Sequence, residues 1–473
     1  MVFSSISFLI FFLPVVLIVY FLIPSRKRTA RNYVLLLFSL VFYSIGGPSF
    51  LILLLVSVII NYICGFYAAP ERSLLTRKLA VVFAAVLGLG LIGWFKYSGF
   101  LAETINRFGA GIPVPDVTLP LGISFFTFQG LSYVIDVYRG HAKTQRNPLN
   151  IALYISLFPA LIAGPIVRYT AIESDISSRK ERLEDFSAGV VRFSFGLAKK
   201  MLLANALGEI ADKVFGGAPG SLSVLTAWVG ALAFTGQLYF DFSAYSDMAI
   251  GLCRMFGFRI PENFNYPYIA KSVTDFWRRW HISLSTWFRD YLYIPLGGSR
   301  AGTIKHVRNF VIVWLLTGLW HGAAWTFVLW GALTCLTLLC ERFFRGRLPS
   351  GRTPSPIKHI YTMALVTILW VFFRSETALS AVAYVGAMFG ANGMAADGQG
   401  VYYILQYWPE LVIAIVASIP VKQYIEGFIE KKTGALAGLV SVWAPRALAL
   451  VLLAVSYLKL VTGAFSPFIY FRF

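Results

Sequence analysis

What most constrains this chain is a succession of long apolar stretches that neither carry charge nor alternate polar with apolar residues as a half-buried strand would. Inside hydrocarbon, only a helix or a closed barrel satisfies every backbone N–H and C=O, and continuous apolar runs select the helix. A spanning helix needs about 20 mostly apolar residues. Candidate spans lie at Phe3–Leu22, Tyr33–Ile45, Phe50–Tyr67, Leu79–Phe95, Leu119–Val137, Ile151–Val167, Leu225–Phe240, Phe310–Leu339, Tyr361–Phe373, Ile404–Ile419 and Leu448–Val461. The expected fold is therefore all-α and polytopic, with roughly eleven transmembrane helices. Composition agrees, at 58% hydrophobic and 13% charged residues, where soluble domains carry about 25% charged residues. Ile151–Val167, interrupted by Pro159, Gly164 and Pro165, reads as re-entrant. No linker or repeat divides the chain, so one domain over residues 1–473 is expected.

The first stretch lacks the preceding positive charge and the following small-residue cleavage site of a signal peptide, and reads as retained. Basic clusters follow it at Arg26–Arg31, Arg72–Lys78, Arg139–Arg146, Arg179–Arg182, Arg278–Arg308 and Arg342–Lys358. Short loops rich in Lys and Arg stay cytoplasmic, which places the N-terminus outside and these loops inside. By the same alternation, a polar loop at Lys96–Val117 faces out and the amphipathic region Pro261–Arg308 lies on the cytoplasmic side; a further basic connector is Lys422–Thr433. The net charge of +19 then reports the positive-inside bias beside the lipid bilayer, and no nucleic-acid partner is implied. Cys64, Cys253, Cys335 and Cys340 stand singly in apolar surroundings and read as small buried hydrophobes.

Within Asp275–Tyr293, Phe276, Trp280, Trp287 and Tyr291 fall on one helical stripe while Arg278, Arg279 and Arg289 fall elsewhere. Trp on one face and Arg on another suits a helix lying in the membrane interface. An anchoring role explains the aromatics and arginines but leaves His281 unexplained.

The sharpest feature is Thr317-Gly318-Leu319-Trp320-His321-Gly322-Ala323-Ala324-Trp325, inside an apolar run. Lys305 and Arg308 precede that run and Arg342 and Arg345 follow it, so with both ends cytoplasmic it forms a hairpin with His321 near its turn. An ionisable residue within a membrane is a functional candidate by default. Burial disfavours the imidazolium and keeps His321 in the neutral form a general base requires. Gly318 and Gly322 share a helix face, leaving a groove that a substrate or another helix could enter, with Trp320 and Trp325 as its walls. The plainer alternative is a histidine bonded between packed helices, its glycines serving only the packing. His141, His306 and His359 lie in polar connectors, where solvent or lipid headgroups are the default surroundings. Two remaining histidines without HxxxH or HExxH spacing argue against a metal site.

In Gln237–Asp247, two carboxylates interrupt an apolar helix. Asp241 and Tyr245 can share a face, whereas Asp247 points about 120° away, so no acid/base dyad is formed. Their expected role is a supporting polar network that orders helices or receives the arginines of the amphipathic region. No GxSxG elbow is present to carry a serine nucleophile, and no cysteine has local positive charge beside a histidine.

Several motifs in order resemble bacterial membrane-bound O-acyltransferases, in particular the branch typified by the alginate O-acetyltransferase membrane subunit. They are Met1-Val2-Phe3-Ser4-Ser5, Leu119–Gln129, Gly164–Tyr169, Asp241–Asp247, Asp275–His281, Trp320-His321-Gly322 and Phe468-Ile469-Tyr470-Phe471. The resemblance implies helices around a central funnel, with His321 as a catalytic residue and His281 as a second one. It implies no bound cofactor but an acyl thioester donor as substrate, acetyl-CoA or an acyl-carrier protein on the cytoplasmic side. It further implies transfer toward hydroxyls of an exported polysaccharide such as alginate, through an extracytoplasmic acetyltransferase partner. Asp275, Arg278, Arg279 and Trp280, with Gly318, Trp320 and Gly322, would line the donor path, the guanidinium groups suiting a phosphate-bearing carrier. His321 would then act as general base or carry the acyl group transiently. Alternatives are a D-alanyl transfer protein of teichoic acid or a peptidoglycan O-acetyltransferase and, from another class, a secondary transporter or flippase.

Overall fold

The computed structural model describes residues 1–300, 302–344, 354–421, 423–424, 435–463 and 467–469. Arg345 and the rest of 345–353 within the Arg342–Lys358 connector, nearly all of Lys422–Thr433, and Tyr470 and Phe471 of the terminal motif lie outside the described residues. Among the described residues the fold is all-helical, with no strand. Their contacts divide into two compact units, neither continuous in sequence: Met1–Phe193 with Tyr245–Glu262 and the described residues of Gly463–Phe471, and Ser194–Ala244 with the described residues of Asn263–Thr462.

Among the described residues, five helices are long and apolar enough to cross a membrane: Pro48–Tyr67, Leu74–Asn106, Trp325–Phe344, Ser355–Arg374 and Ser441–Thr462. A sixth span is obtained if Gly398–Gln406 and Trp408–Ala417, bent by 66° at their junction, count as one. This falls short of the eleven expected, for local reasons. A break at Leu157 leaves only the short helices Pro148–Ser156 and Phe158–Leu161; Pro159 sits in the first turn of the second, where a proline is tolerated, whereas inside one continuous helix it would remove a hydrogen bond and clash with the preceding turn. The stretch at Tyr33 belongs to Arg28–Ser44, which opens on charge, and Ile123–Arg139 has 17 residues. The polar loop expected from Lys96 remains helical to Asn106.

In the first unit, Ile123–Arg139 is buried along almost its whole length. Small residues bring its neighbour close: a Cβ on Gly65 would lie 2.4 Å from the Tyr133 ring, and one on Gly130 2.4 Å from the Asn61 amide. Phe3 of the N-terminal motif is buried and stacks on Tyr245 at 4.7 Å. Arg179, in a basic cluster expected in a cytoplasmic loop, is buried, donating to the Tyr20 hydroxyl at 2.9 Å, the Phe256 carbonyl at 2.9 Å and Asn32 Oδ1 at 2.6 Å. Glu181 receives Arg28, Arg31 and the Tyr20 hydroxyl.

The second unit is built around aromatic packing. A hairpin of Thr303–His321 and Trp325–Phe344 lies beside Ser355–Arg374. The amphipathic region folds as short pieces, Val273–Arg279, Ile282–Phe288 and a π-helical turn Arg289–Tyr293. It is not the interfacial helix expected: Phe276, Trp280, Trp287 and Tyr291 are all buried in protein. The stripe is broken because His281 adopts a left-handed backbone, φ 44°, between the two short helices. Phe276 and Trp280 then pack on Trp370, with ring centroids 6.2 and 5.1 Å away.

Candidate functional site

Both interior histidines lie in the second unit, and the fold brings them together. His321 is the last residue of Thr303–His321, directly before the extended Gly322 that opens the hairpin turn. His281 forms the N-cap of Ile282–Phe288. Their ring centroids are 6.3 Å apart, and their exposures are 7% and 1%. Imidazole nitrogens lie close to the ring centroid, so the closest N···N separation exceeds a hydrogen bond of about 3 Å. Burial pushes the His281 imidazole down to about 3, so it is neutral near pH 7.

The pair sits in an aromatic box. Phe242 meets His281 edge-on at 4.7 Å, Trp320 lies 5.7 Å from His281 and 5.0 Å from His321, and Trp330 and Phe373 lie 5.3 and 5.2 Å from His321. Asn263, completely buried, accepts through Oδ1 from the Ser283 hydroxyl at 2.8 Å and the Ser283 backbone N–H at 3.3 Å, and contacts His281 Nδ1 at 3.1 Å. Such a box excludes water and holds both rings in fixed orientations, the setting in which proton transfer at a positioned imidazole is effective.

The other expected site residues distribute unevenly. Trp320 and Trp280 are buried in the box or beside it, whereas Trp325 is half exposed. Gly318 and Gly322 do not open a groove for substrate, because the second helix of the hairpin fills that face: a Cβ on Gly318 would lie 2.3 Å from the Phe327 carbonyl oxygen and one on Gly322 2.1 Å from the Phe327 ring. Gly331 answers them, its Cβ position 2.4 Å from the Trp314 carbonyl oxygen. The glycines serve close helix packing, the plainer of the two alternatives. Asp275 and Arg279 pair with each other at 3.0 Å, while Arg278 is exposed. Asp241 is paired with Lys200 at 2.6 Å, and Asp247 with Arg192 at 2.8 Å, where arginines of the amphipathic region were expected. Tyr245 and Asp247 belong to the first unit and Asp241 to the second.

His306, expected in solvent or among headgroups, is buried with Nδ1 2.6 Å from the Tyr293 hydroxyl, and His359 Nδ1 donates to the Ala270 carbonyl at 3.0 Å. His141 is exposed. Cys64, Cys253 and Cys335 are buried as expected; Cys340 is exposed.

Sequence reasoning missed Asn263, Trp330, Phe373, Glu341 and Lys200. The Glu341 carboxylate accepts from the backbone N–H groups of Val273 at 2.6 Å and Thr274 at 3.0 Å, capping the short helix that leads to His281. Lys200, a charge inside an apolar segment, carried a legible signal. Asn263 carried none, since a single Asn in a polar connector has no periodicity to betray its partner.

Comparison with known proteins converges on one family. The sequence profile of MBOAT, the membrane-bound O-acyltransferase family, matches residues 137–382. The chain is 40% identical to a protein of Azotobacter vinelandii named "Probable alginate O-acetylase AlgI", over the full length of both. It is 34% identical to the peptidoglycan O-acetyltransferase of Helicobacter pylori, over 83% of this chain and 81% of that protein. It is 30% identical to the teichoic acid D-alanyltransferase of Bacillus subtilis, over 54% of this chain and 69% of that one.

Proposed function

Because this chain belongs to the membrane-bound O-acyltransferase family and is an O-acyltransferase, we propose that it passes an acetyl group from a cytoplasmic thioester to hydroxyls of an exported polysaccharide of the alginate type. Full-length identity of 40% to a protein named as an alginate O-acetylase supports that acceptor over peptidoglycan or teichoic acid, whose transferases match with lower identity and over less of the chain. The observation that carries the reading is the meeting of His281 and His321, buried and 6.3 Å apart, in an aromatic box.

In this reading the donor is acetyl-CoA or an acylated carrier, drawn to the cytoplasmic side past Arg278 and Arg279, and the N-terminus lies outside the inner membrane. A hydroxyl, supplied by an extracytoplasmic acetyltransferase partner that relays the acetyl group to the polymer, attacks the thioester carbonyl. His321 accepts the hydroxyl proton as the C–O bond forms, the C–S bond breaks, and the proton passes to the leaving thiolate. His281 faces the same reacting atoms. The imidazolium that His321 becomes returns to the neutral form when the leaving thiolate takes its proton.

His321→Ala and His321→Gln test this in cells making the polysaccharide, with ester-linked acetate measured on the polymer and the protein quantified in membranes. Acetate should fall to background while membrane protein persists; wild-type acetylation by either variant rules the mechanism out. Arg279→Cys tests the topology. A membrane-impermeant thiol reagent should reach it from the cytoplasmic side, and labelling confined to the outer side would overturn the orientation.

A further inference from the structure

The contacts of Asn263 fix which nitrogen of His281 carries the proton. The backbone N–H of Ser283 can only donate, and it lies 3.3 Å from the Asn263 side-chain atom that also accepts from the Ser283 hydroxyl at 2.8 Å. That atom is therefore the amide oxygen, since the flipped amide would set an NH2 group against a backbone donor. An amide oxygen has no proton to give, so His281 Nδ1, 3.1 Å away, must be the donor. A neutral imidazole protonated at Nδ1 leaves its lone pair on Nε2. Asn263 is itself held in place: its backbone carbonyl accepts from the Ile282 N–H at 2.9 Å, and its side chain is wholly buried. The left-handed backbone of His281 turns the chain so that residues 281 to 283 wrap this one amide.

We propose that Asn263 is a positioning residue that locks His281 as the Nδ1–H tautomer and so presents Nε2 as a proton acceptor toward His321 and the reacting hydroxyl. Its catalytic consequence rests on the acyl-transfer reading above; the tautomer itself does not. The two histidines then have unequal parts. His281 is fixed in advance with one accepting nitrogen, by a neutral partner that orients the ring without adding a negative charge to the box. A carboxylate in the same place would favour the imidazolium, which cannot accept a proton.

The test uses the full chain in lipid bilayers, labelled with 15N-histidine, with the His281 signals identified by their loss in His281→Gln. In the wild-type protein His281 should show a protonated Nδ1 and a lone-pair Nε2; a protonated Nε2 with a lone-pair Nδ1 would overturn the assignment without any variant having to fold. In Asn263→Ala the lock is gone, and the two tautomers should become mixed while polymer acetylation falls by about 100-fold. Unchanged tautomer populations with unchanged acetylation would refute the proposal. Asn263→Asp keeps an accepting oxygen, so Nδ1 should stay protonated, while its negative charge should raise the share of doubly protonated His281 and leave acetylation below that of the wild type; loss of the Nδ1 proton there would refute the proposal as well. If instead His321→Ala acetylates normally, the acyl-transfer reading fails while the tautomer result still stands.

Discussion

Lys200 and Asp241 face each other at 2.6 Å with almost no solvent access, on a π-helical segment and on the long helix Val224–Met255. Desolvating two charges offsets most of their attraction, but removing one partner strands the other, at about 3–5 kcal/mol. Lys200→Met should therefore lower the thermal unfolding temperature of the detergent-solubilised protein sharply. The double variant Lys200→Met with Asp241→Leu should recover most of the loss, and equal destabilisation of the two would contradict a paired role. At this scale the sequence was legible where a polar residue stood alone in apolar surroundings, as His321 and Asp241 did. It was not legible where meaning depends on a partner distant along the chain. Lys200 rather than an arginine answers Asp241, and nothing local marks Asn263 as the neighbour of His281.

At the scale of the element, the hairpin carries its own constraint. Gly318 and Gly331 let its two helices approach until a Cβ on either would collide with a carbonyl oxygen at 2.3 or 2.4 Å. Backbone cannot yield as a side-chain tip can, so Gly318→Ala should force the helices apart at about 1–3 kcal/mol and shift His321 with them. Membrane abundance and acetylation should fall together. Gly90→Ala, whose Cβ would meet nothing within 4 Å, should leave both unchanged; an identical response from the two positions would remove the packing explanation. The hairpin itself was readable from basic residues flanking one apolar run. The short helices before it were read with the right aromatic spacing but the wrong surroundings. Periodicity reports that Phe276, Trp280, Trp287 and Tyr291 could share a face, not that His281 interrupts the helix and turns them into protein.

For the molecule as a whole, composition establishes a membrane protein, while the span count depends on breaks that hydropathy does not resolve, such as those at Leu157 and Gly322. The first unit adds an acid limit to stability. Burial raises the Glu181 carboxyl, but hydrogen bonds from Arg28 and from the Tyr20 hydroxyl outweigh it and bring the group down to about 2, against 4.5 ordinarily. The stabilisation is complete above the ordinary value and is lost as pH falls from there toward the folded one. Unfolding followed between neutral pH and pH 2 should show this limb, and Glu181→Gln should flatten it. A limb of the same size in that variant would assign acid sensitivity to other groups.

The left-handed turn at His281 also bears on how this position can drift and how it can be probed. With φ at 44°, it suits Asn, Asp and His better than β-branched or bulky residues. Alanine scanning there would mix a change of chemistry with a change of backbone preference. A library sorted for folding alone should retain asparagine at residue 281 and discard valine and isoleucine, so His281→Asn is the substitution that removes the imidazole while leaving the turn intact.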